Sequence, residues 1–206
     1  MGLTINHELN LGVVCSHNMN RSMEAHRVLA KKNFNIRSYG TGDKVKLPGA
    51  TANTPNIYGF DTPYDKIYKD LSRQNYDLYT ENGILTLLDR NRRIKKCPER
   101  FQDVENYDFD IVFCCEERVF DQAMEHLFHI ASEKAMVQDE DTHNLHLINI
   151  KITDNHEDAI LGSDCIAQLA TEFSKVSDLD QEIDRILKNF IAKNPNRGVF
   201  HTSFFV

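Results

Sequence analysis

The feature that most limits the folds open to this chain is a short apolar run, followed directly by an amphipathic helix and then by a second extended run. The three segments are Leu11–Val14, Ser22–Lys32 and Asn35–Tyr39, and Asn33 suits the left-handed conformation that ends many helices. Two strands joined through a helix pair in parallel with a right-handed crossover, and open parallel sheets bind ligands at the carboxyl ends of their strands. The sequence therefore predicts a parallel sheet with a functional loop after its first strand.

The connection from this strand to the helix contains a cysteine and an arginine separated by five residues, Cys15 and Arg21. A loop of this length can turn its backbone N–H groups toward one anion, and the positive end of the following helix adds to the attraction. The guanidinium of Arg21 can bind two phosphate oxygens at once, and the same surroundings favour a nucleophilic thiolate at Cys15. The spacing therefore predicts a phosphate-binding loop with Cys15 as the nucleophile. The other loop residues are Ser16, His17, Asn18, Met19, Asn20 and Ser22.

Individual loop residues have distinct expected parts. The Ser22 hydroxyl can donate to the thiolate, the Asn18 side chain can bond neighbouring backbone and keep the loop open, and His17 contributes chiefly its backbone N–H. A bare cysteine-to-arginine spacing also occurs by chance, and a cysteine at a strand end is usually a small buried apolar residue. The strand and the helix on either side favour the phosphate-binding interpretation.

The rest of the chain repeats the alternation of strands and helices. With 206 residues, 41% of them hydrophobic, the chain can bury the core of a domain. We expect a single domain over 1–206 with an ordered excursion at about 40–63, and an α/β fold with a three-layer, doubly wound parallel sheet. The way in which the segment Val199–Val206 packs is left open. Further strands are expected at Ile111–Cys115 and Leu145–Ile152, and further helices at Glu116–Phe128, Ala159–Phe173 and Leu179–Ala192.

Charge and cysteine content narrow the classes of function. The net charge of -7 argues against general nucleic-acid binding, and no stretch reaches the length of a membrane span. Five cysteines form no disulfide framework, which favours reduced thiols in the cytosol or nucleus. No zinc-site spacing is present either, so no metal cofactor is expected.

An acidic residue after the fourth expected strand is a candidate proton donor. Asp154 would emerge at the same carboxyl edge of the sheet as Cys15, but an aspartate at this place could equally cap the following helix. The basic run Arg90–Lys96 is interpreted as a solvated face, with attraction of an acidic partner as the alternative. The charged residues that follow the candidate donor are expected to be solvated in the first helical turn; they are His156, Glu157 and Asp158.

Several motifs together resemble a known enzyme family. Cys15-x-x-Asn18-x-x-Arg21-Ser22 resembles the loop of the low-molecular-weight protein tyrosine phosphatases. The chain further resembles one branch of them, the RNA polymerase II C-terminal-domain serine phosphatases associated with pre-mRNA 3′-end processing. The motifs shared with that branch extend from about Leu11 to Phe205 and comprise Ser38–Gly42, Val45–Gly49, Leu88–Lys95, Pro98–Phe101, Cys115–Arg118 and Asp154–Glu157.

The resemblance implies a fold, an activity and a set of site residues. The implied fold is that of the low-molecular-weight tyrosine phosphatases, with Cys15, Arg21 and Asp154 as nucleophile, phosphate-binding arginine and general acid. The implied reaction removes phosphate, without a metal or other cofactor, from the fifth-position serine of the polymerase heptads, with the following Ser-Pro bond in its cis form. It takes place in the nucleus, with a symplekin-like scaffold as partner. The insertion that lines the family's peptide groove corresponds to Lys46, Leu47, Pro48 and Gly49.

Two residues depart from the family pattern, and two other functions stay open. His17 stands where relatives usually have a small residue, and Lys151 stands where many have an acid, which is expected to weaken Asp154 as a proton donor. A phosphopeptide-binding scaffold with weak or no turnover is the alternative from another functional class, although binding alone requires neither Cys15 nor Asp154. The third interpretation is arsenate reduction, which needs relay thiols. The candidates for such a relay are Cys97, Cys114, Cys115 and Cys165.

Overall fold

The computed structural model of this chain describes residues 9–51, 53–137 and 142–206. The strands are β1 (Asn10–Cys15), β2 (Asn35–Gly40), β3 (Val45–Leu47), β4 (Asn56–Tyr58), β5 (Ile111–Cys114), β6 (Asn144–Ile150) and β7 (Val199–Phe205). The helices are α1 (Arg21–Lys31), α2 (Tyr64–Glu81), α3 (Ile84–Ile94), α4 (Glu117–Val137), α5 (His156–Phe173) and α6 (Leu179–Lys193). The single domain expected over 1–206 stays a prediction, and its first eight residues lie outside the described ranges.

The main sheet has five strands in the order β2-β1-β5-β6-β7. β1 pairs in parallel with β2 and β5, and β5 pairs in parallel with β6. The carboxyl ends of these four strands therefore meet at one edge. β7 pairs antiparallel with β6, from Asn144 opposite Phe205 to Ile150 opposite Val199. The α/β fold with a parallel sheet is confirmed, and the C-terminal segment whose packing was left open is an antiparallel edge strand.

Helices cover both faces of this sheet. Leu11 and Val13 of β1 pack in the cluster that includes α1, α5 and α6, whereas Val14 packs in the cluster that includes α4. Both valines are fully buried, which explains why β1 is a continuous apolar run rather than an alternating one. Asn33 follows α1 with φ 63°, the left-handed conformation expected of it. The three layers place the Cys15 end of β1 at an open edge of the sandwich.

A third cluster lies outside the two sheet faces and has no counterpart in the sequence analysis. It unites α2, α3 and the ribbon formed by β3 and β4 with Met19 of the loop and Met23 of α1. This unit is therefore anchored directly on the loop after β1. The excursion expected at about 40–63 contains the ribbon. Gly49 permits a close approach there, since a Cβ on it would lie 1.7 Å from the carbonyl oxygen of Thr54.

Two helices extend beyond their expected ends. α4 continues to Val137 instead of ending at Phe128, and Ile130 and Ala131 in its added turns pack against the cluster that includes Val14. α5 begins at His156 instead of Ala159, because its cap is Asn155. No helix in the described ranges is long and apolar enough to cross a membrane.

Candidate active site

The expected phosphate-binding loop lies at the carboxyl end of β1, beside the end of β2. The carbonyl oxygen of Cys15 accepts a hydrogen bond from Thr41 N–H at 3.0 Å, and that of Ser16 accepts from Gly42 N–H at 2.9 Å. The two segments approach closely, since a Cβ on Gly40 would lie 2.9 Å from the Ser16 oxygen. The backbone after β2 thus holds the first carbonyls of the loop on its outer side.

α2 and α3 hold two carbonyls further along the loop. The Tyr64 hydroxyl donates to Asn18 O at 2.6 Å. Met19 O accepts from Arg90 Nη2 and from Asn91 Nδ2, both at 2.8 Å. A peptide plane directs its C=O and N–H to opposite sides, so carbonyls held outside leave N–H groups facing inward. The loop is therefore a preformed cradle for an anion.

The Cys15 side chain is hydrogen-bonded to Ser22. Cys15 Sγ and Ser22 Oγ are 3.1 Å apart, and Asn18 Nδ2 donates to the same oxygen at 3.0 Å. Because Asn18 is the donor, the serine hydrogen is free to point at the sulfur. Asn18 Nδ2 also donates to Ser38 Oγ at 3.3 Å, and Asn18 Oδ1 accepts from the backbone N–H of Glu99 at 3.1 Å. The amide thus bonds backbone, as expected from the sequence, but that of the distant Glu99 rather than that of its neighbours. The Ser22 hydroxyl is therefore placed to donate a hydrogen bond to the Cys15 sulfur.

Arg21 is buried at the start of α1, with 3% of its side chain exposed. Nη1 donates to Glu116 Oε2 and to the carbonyl of Ile152, each at 3.0 Å. Nε has no hydrogen-bond partner among the described residues and lies 3.5 Å from Asp154 Oδ1. Burial alone would lower the pKa of Arg21, but the charge of Cys15 and the bond to Glu116 outweigh it and raise that pKa. A charged, unpartnered buried donor is what a bound phosphate would satisfy.

Glu116 lies two residues after Cys114, the last residue of β5, and belongs to this site, although its position in the sequence predicted only the start of a helix. Its Oε1 accepts from Ser16 Oγ at 2.5 Å while Oε2 accepts from Arg21. Burial raises the pKa of Glu116, but the bonds from Arg21 and Ser16 outweigh it and lower that pKa. One ionised carboxylate thus fixes two loop residues. The signal available in the sequence was an acidic residue directly after a strand, at the same sheet edge as Cys15.

Asp154 lies at this edge too, in the connection from β6 to α5. Its side chain is 53% exposed, and Oδ1 accepts from Asn20 Nδ2 at 3.0 Å. The helix-cap alternative is wrong, because Asn155 caps α5 by accepting from Asp158 N–H at 2.8 Å. The carboxyl of Asp154 is therefore free to face the loop.

Asp158 was expected to be solvated in the first turn of α5, and this is wrong. It forms an ion pair with Arg197 at 2.7 Å and accepts from Thr153 N–H at 2.6 Å. These contacts tie the connection from β6 to α5 to the segment that precedes β7. His156 and Glu157 are exposed, as expected.

His17 and Lys151, the two departures from the family pattern, have different surroundings. His17 borders the cavity next to the loop, and its Nδ1 lies 3.0 Å from the carbonyl of Lys44. Burial lowers the pKa of His17 more than the Lys44 bond raises it, so the ring is neutral at pH 7. Lys151 is exposed, and its main-chain N–H donates to Gly198 O at 2.9 Å. His17 therefore adds bulk but no charge to the cavity wall.

A cavity of about 540 Å³ adjoins the loop. Gly49, the fourth expected groove residue, is not part of its wall and serves the ribbon contact with Thr54 instead. A larger cavity of about 750 Å³ lies between α5 and α6 and includes none of the loop residues. An anion cradle with partly apolar walls suits a phosphorylated peptide. Residues that border the smaller cavity include Cys15, Asp154, Lys46, Leu47, Pro48, Ile84 and Leu87.

The basic run Arg90–Lys96 is not the solvated face expected from the sequence. Only 15% of the Arg90 side chain is exposed, and Nη1 pairs with the buried Glu24 at 2.8 Å. Lys95 Nζ donates to the carbonyl of Ser38 at 2.5 Å. Part of the run is therefore internal to the site and fixes the loop, while its other arginines form ion pairs nearer the surface.

Three of the four candidate relay cysteines are buried, namely Cys114, Cys115 and Cys165, and all five cysteines are free. Burial raises the pKa of these three thiols and keeps them unreactive. Only the half-buried Cys97 is left as a candidate, which does not support arsenate reduction through a relay of thiols. In the described ranges, no group of three or more His, Cys, Asp or Glu residues is placed to hold a metal ion.

Comparisons with known proteins agree on one family. A family model described as "Ssu72-like protein" matches residues 9–206. The SSU72 protein of Xenopus laevis, named as an RNA polymerase II C-terminal domain phosphatase, is 48% identical over 197 residues, which cover 96% of this chain and 97% of that protein. The Homo sapiens protein of the same name is 46% identical with the same coverage.

A solved structure agrees with these relatives. It contains Drosophila melanogaster Ssu72 with Symplekin, bound to a cis peptidomimetic of the polymerase tail that is phosphorylated on the fifth-position serine. Its Ssu72 chain is 44% identical, and the match covers 97% of this chain and 99% of that one. The two superpose with a TM-score of 0.87, so sequence and fold point to the same family.

Proposed function

The chain belongs to the Ssu72-like protein family, and on this basis we propose that it is a cysteine-dependent serine phosphatase of the RNA polymerase II C-terminal tail. The observation that carries the proposal is the convergence of three groups at one sheet edge. Cys15 begins an anion cradle, Arg21 lies in it with an unpartnered Nε among the described residues, and Asp154 Oδ1 is 3.5 Å from that nitrogen. A thiol, a fixed cation and an acid in this arrangement suit phosphoryl transfer.

In the first step, Cys15 Sγ attacks the phosphorus of phosphoserine. An S–P bond forms as the bond between phosphorus and the serine oxygen breaks, and Asp154 gives its proton to that oxygen. The proton is needed because a serine alkoxide is a poor leaving group. Arg21 and the inward N–H groups stabilise the charge that grows on the other phosphate oxygens.

In the second step, water hydrolyses the phosphocysteine. Asp154, now a carboxylate, accepts a proton from the water as the water oxygen bonds to phosphorus and the S–P bond breaks. The electron pair returns to Cys15 as a thiolate, to which Ser22 donates a hydrogen bond, and inorganic phosphate leaves. The proposed cycle uses no metal and no other cofactor.

The proposed substrate is phosphoserine at the fifth heptad position, followed by a cis Ser-Pro bond. The peptide lies in the cavity beside Lys46, Leu47 and Pro48, which belong to the insertion at about 40–63 of a single domain. The Drosophila melanogaster relative, solved with Symplekin and with a cis peptidomimetic phosphorylated on that serine, supports this substrate and a symplekin-like partner. Because polymerase II works in the nucleus, the proposed location is nuclear.

Phosphate release from a heptad-repeat peptide phosphorylated at the fifth-position serine tests the proposal. We expect wild-type turnover in the presence of a chelator, none with Cys15→Ser, and a loss of at least about a hundredfold with Asp154→Asn, since general acid catalysis contributes about 10²–10⁴-fold. Cys97→Ser and Asp121→Asn make the same chemical changes outside the cavity wall and serve as matched controls.

Two outcomes would contradict the proposal in different ways. Turnover that survives Cys15→Ser would refute the cysteine mechanism. If the wild type bound the peptide but released no phosphate, with or without a symplekin-like partner, the chain would be a phosphopeptide-binding scaffold instead.

A further inference from the structure

One side chain connects the phosphate-binding loop with the segment that carries Asp154. Asn20 lies at the end of the loop, where its backbone carbonyl accepts from Glu24 N–H at 2.9 Å and from Arg90 Nη2 at 3.2 Å. Its side-chain Nδ2 donates to Asp154 Oδ1 at 3.0 Å and to the carbonyl of Asn155 at 3.3 Å. The amide is therefore rooted in the rigid loop and reaches across to the connection from β6 to α5.

The Asn20 amide can be oriented in only one way. Both atoms that face it, Asp154 Oδ1 and the carbonyl of Asn155, are acceptors, so the NH₂ end must point to them. Oδ1 of Asn20 is then enclosed without a partner among the described residues. An unsatisfied buried acceptor is destabilising, and an apolar side chain of similar size would avoid that loss. Packing alone therefore does not explain an asparagine here.

Two groups approach the half-exposed carboxyl of Asp154. Asn20 Nδ2 donates a hydrogen bond to Oδ1 at 3.0 Å, whereas Arg21 Nε lies 3.5 Å from the same oxygen and is the group that a bound phosphate would occupy. Because Asn20 binds Oδ1, the other carboxyl oxygen is free to carry a proton. We propose that Asn20 is a positioning residue that holds Asp154 against the phosphate loop, with Oδ2 directed to the leaving oxygen. This inference rests on the function proposed above and adds a residue to that mechanism.

The loss of rate caused by a misplaced acid depends on the leaving group of the substrate. Serine needs the proton of Asp154 as it leaves, whereas 4-nitrophenolate leaves without one. Loss of positioning therefore lowers kcat/KM for the phosphoserine peptide and changes kcat/KM for 4-nitrophenyl phosphate little. This ratio reports the steps up to departure of the leaving group and not the later hydrolysis of the phosphocysteine, in which Asp154 serves both substrates. Damage to the loop would slow both, because both substrates need the cradle and Cys15.

Asn20→Ala tests the inference, with kcat and KM measured on both substrates in the wild type and in the Asp154→Asn background. We expect kcat/KM on the peptide to fall about tenfold, the size of one lost transition-state contact. We expect kcat/KM on 4-nitrophenyl phosphate and the inhibition constant of inorganic phosphate to change less than about twofold, and no further loss of kcat/KM in the Asp154→Asn background. Asn35→Ala is the matched control, because that amide bonds Asn10 at the opposite end of β1 and β2.

Equal losses of kcat/KM on the two substrates, or an added loss in the Asp154→Asn background, would overturn the inference, since Asn20 would then shape the loop. Should Asn20→Ala melt at too low a temperature, Asn20→Ser, which is too short to reach Asp154, must give the same selective loss. The proposed function fails in a separable way. If Asp154→Asn does not itself discriminate against the peptide, Asp154 is not the acid, and the role of Asn20 falls with it.

Discussion

Replacing Tyr64 with phenylalanine removes one oxygen from a fully buried ring and leaves the carbonyl of Asn18 without its donor. The hydroxyl lies 2.6 Å from that carbonyl. Burial raises the pKa of Tyr64 well above its usual value, so the hydroxyl stays a donor over the whole range of an assay. Asn18 has φ 52°, a conformation that a lost anchor would leave less well supported.

The magnitude follows from the burial of both groups. A buried acceptor that loses its partner destabilises a protein by about 1–3 kcal/mol. For a chain of this length, about 2 kcal/mol corresponds to a fall of about 4–8 °C in Tm. If about 1.4 kcal/mol of this loss falls on the binding-competent loop, the inhibition constant of inorganic phosphate rises about tenfold.

Thermal melting and inhibition of 4-nitrophenyl phosphate hydrolysis by inorganic phosphate measure the two effects together. Tyr76→Phe is the matched control, because Tyr76 lies on the same helix and is 57% exposed. We expect it to change Tm by less than about 1 °C. If Tyr64→Phe were no more harmful than Tyr76→Phe in either assay, the argument that outer donors hold the loop open would be refuted.

Three further changes probe the same surroundings. Gly40→Ala should abolish phosphate binding, because its Cβ would lie 2.9 Å from backbone atoms of the loop. Gly198→Ala should be tolerated, because the atom nearest to its Cβ would be 3.6 Å away. Inhibition of both variants by inorganic phosphate checks this prediction. Arg90→Met should lower the free energy of unfolding by about 2–4 kcal/mol and weaken inhibition by phosphate, because it leaves the buried Glu24 with one fewer cation. Denaturant unfolding measures this loss, and a loss below about 1 kcal/mol would contradict the prediction. Burial lowers the pKa of His26 to about 4 in the folded protein. Below the unfolded pKa of about 6.5 the unfolded state therefore binds more protons than the folded state, and the free energy of unfolding falls as the pH is lowered. His26→Gln should remove about 2 kcal/mol of the loss of stability between pH 7 and pH 5, and a pH profile of Tm that is unchanged in this variant would refute the prediction.

The strand, loop and helix around Cys15 could be predicted from sequence because their pattern is local. β1 is an apolar run, the next residues have the spacing of an anion loop, and Asn33 marks the end of α1 through its own conformational preference. Asp154 could be placed at the right edge because parallel strands share their carboxyl ends.

Residues that reach the site from distant parts of the sequence could not be predicted from the sequence. Arg90 sits in a run of cations that looks solvated, and only the position of α3 against the loop makes it internal. Glu116 looks like a first-turn acid, and only the pairing of β1 with β5 brings it to Arg21. The position of β7 in the sheet could not be predicted, because the apolar composition of a segment does not determine which strand it pairs with.

Because the loop carbonyls are held by donors outside the loop, phosphate binding is coupled to the docking of the α2–α3 unit. The donors come from the end of β2, from α2 and from α3, so the cradle exists only while the α2–α3 unit is docked. We therefore expect inorganic phosphate, bound in the cradle as proposed, to stabilise the docked form increasingly as its concentration rises. The product of the proposed reaction would then also be a ligand that protects the protein from local opening.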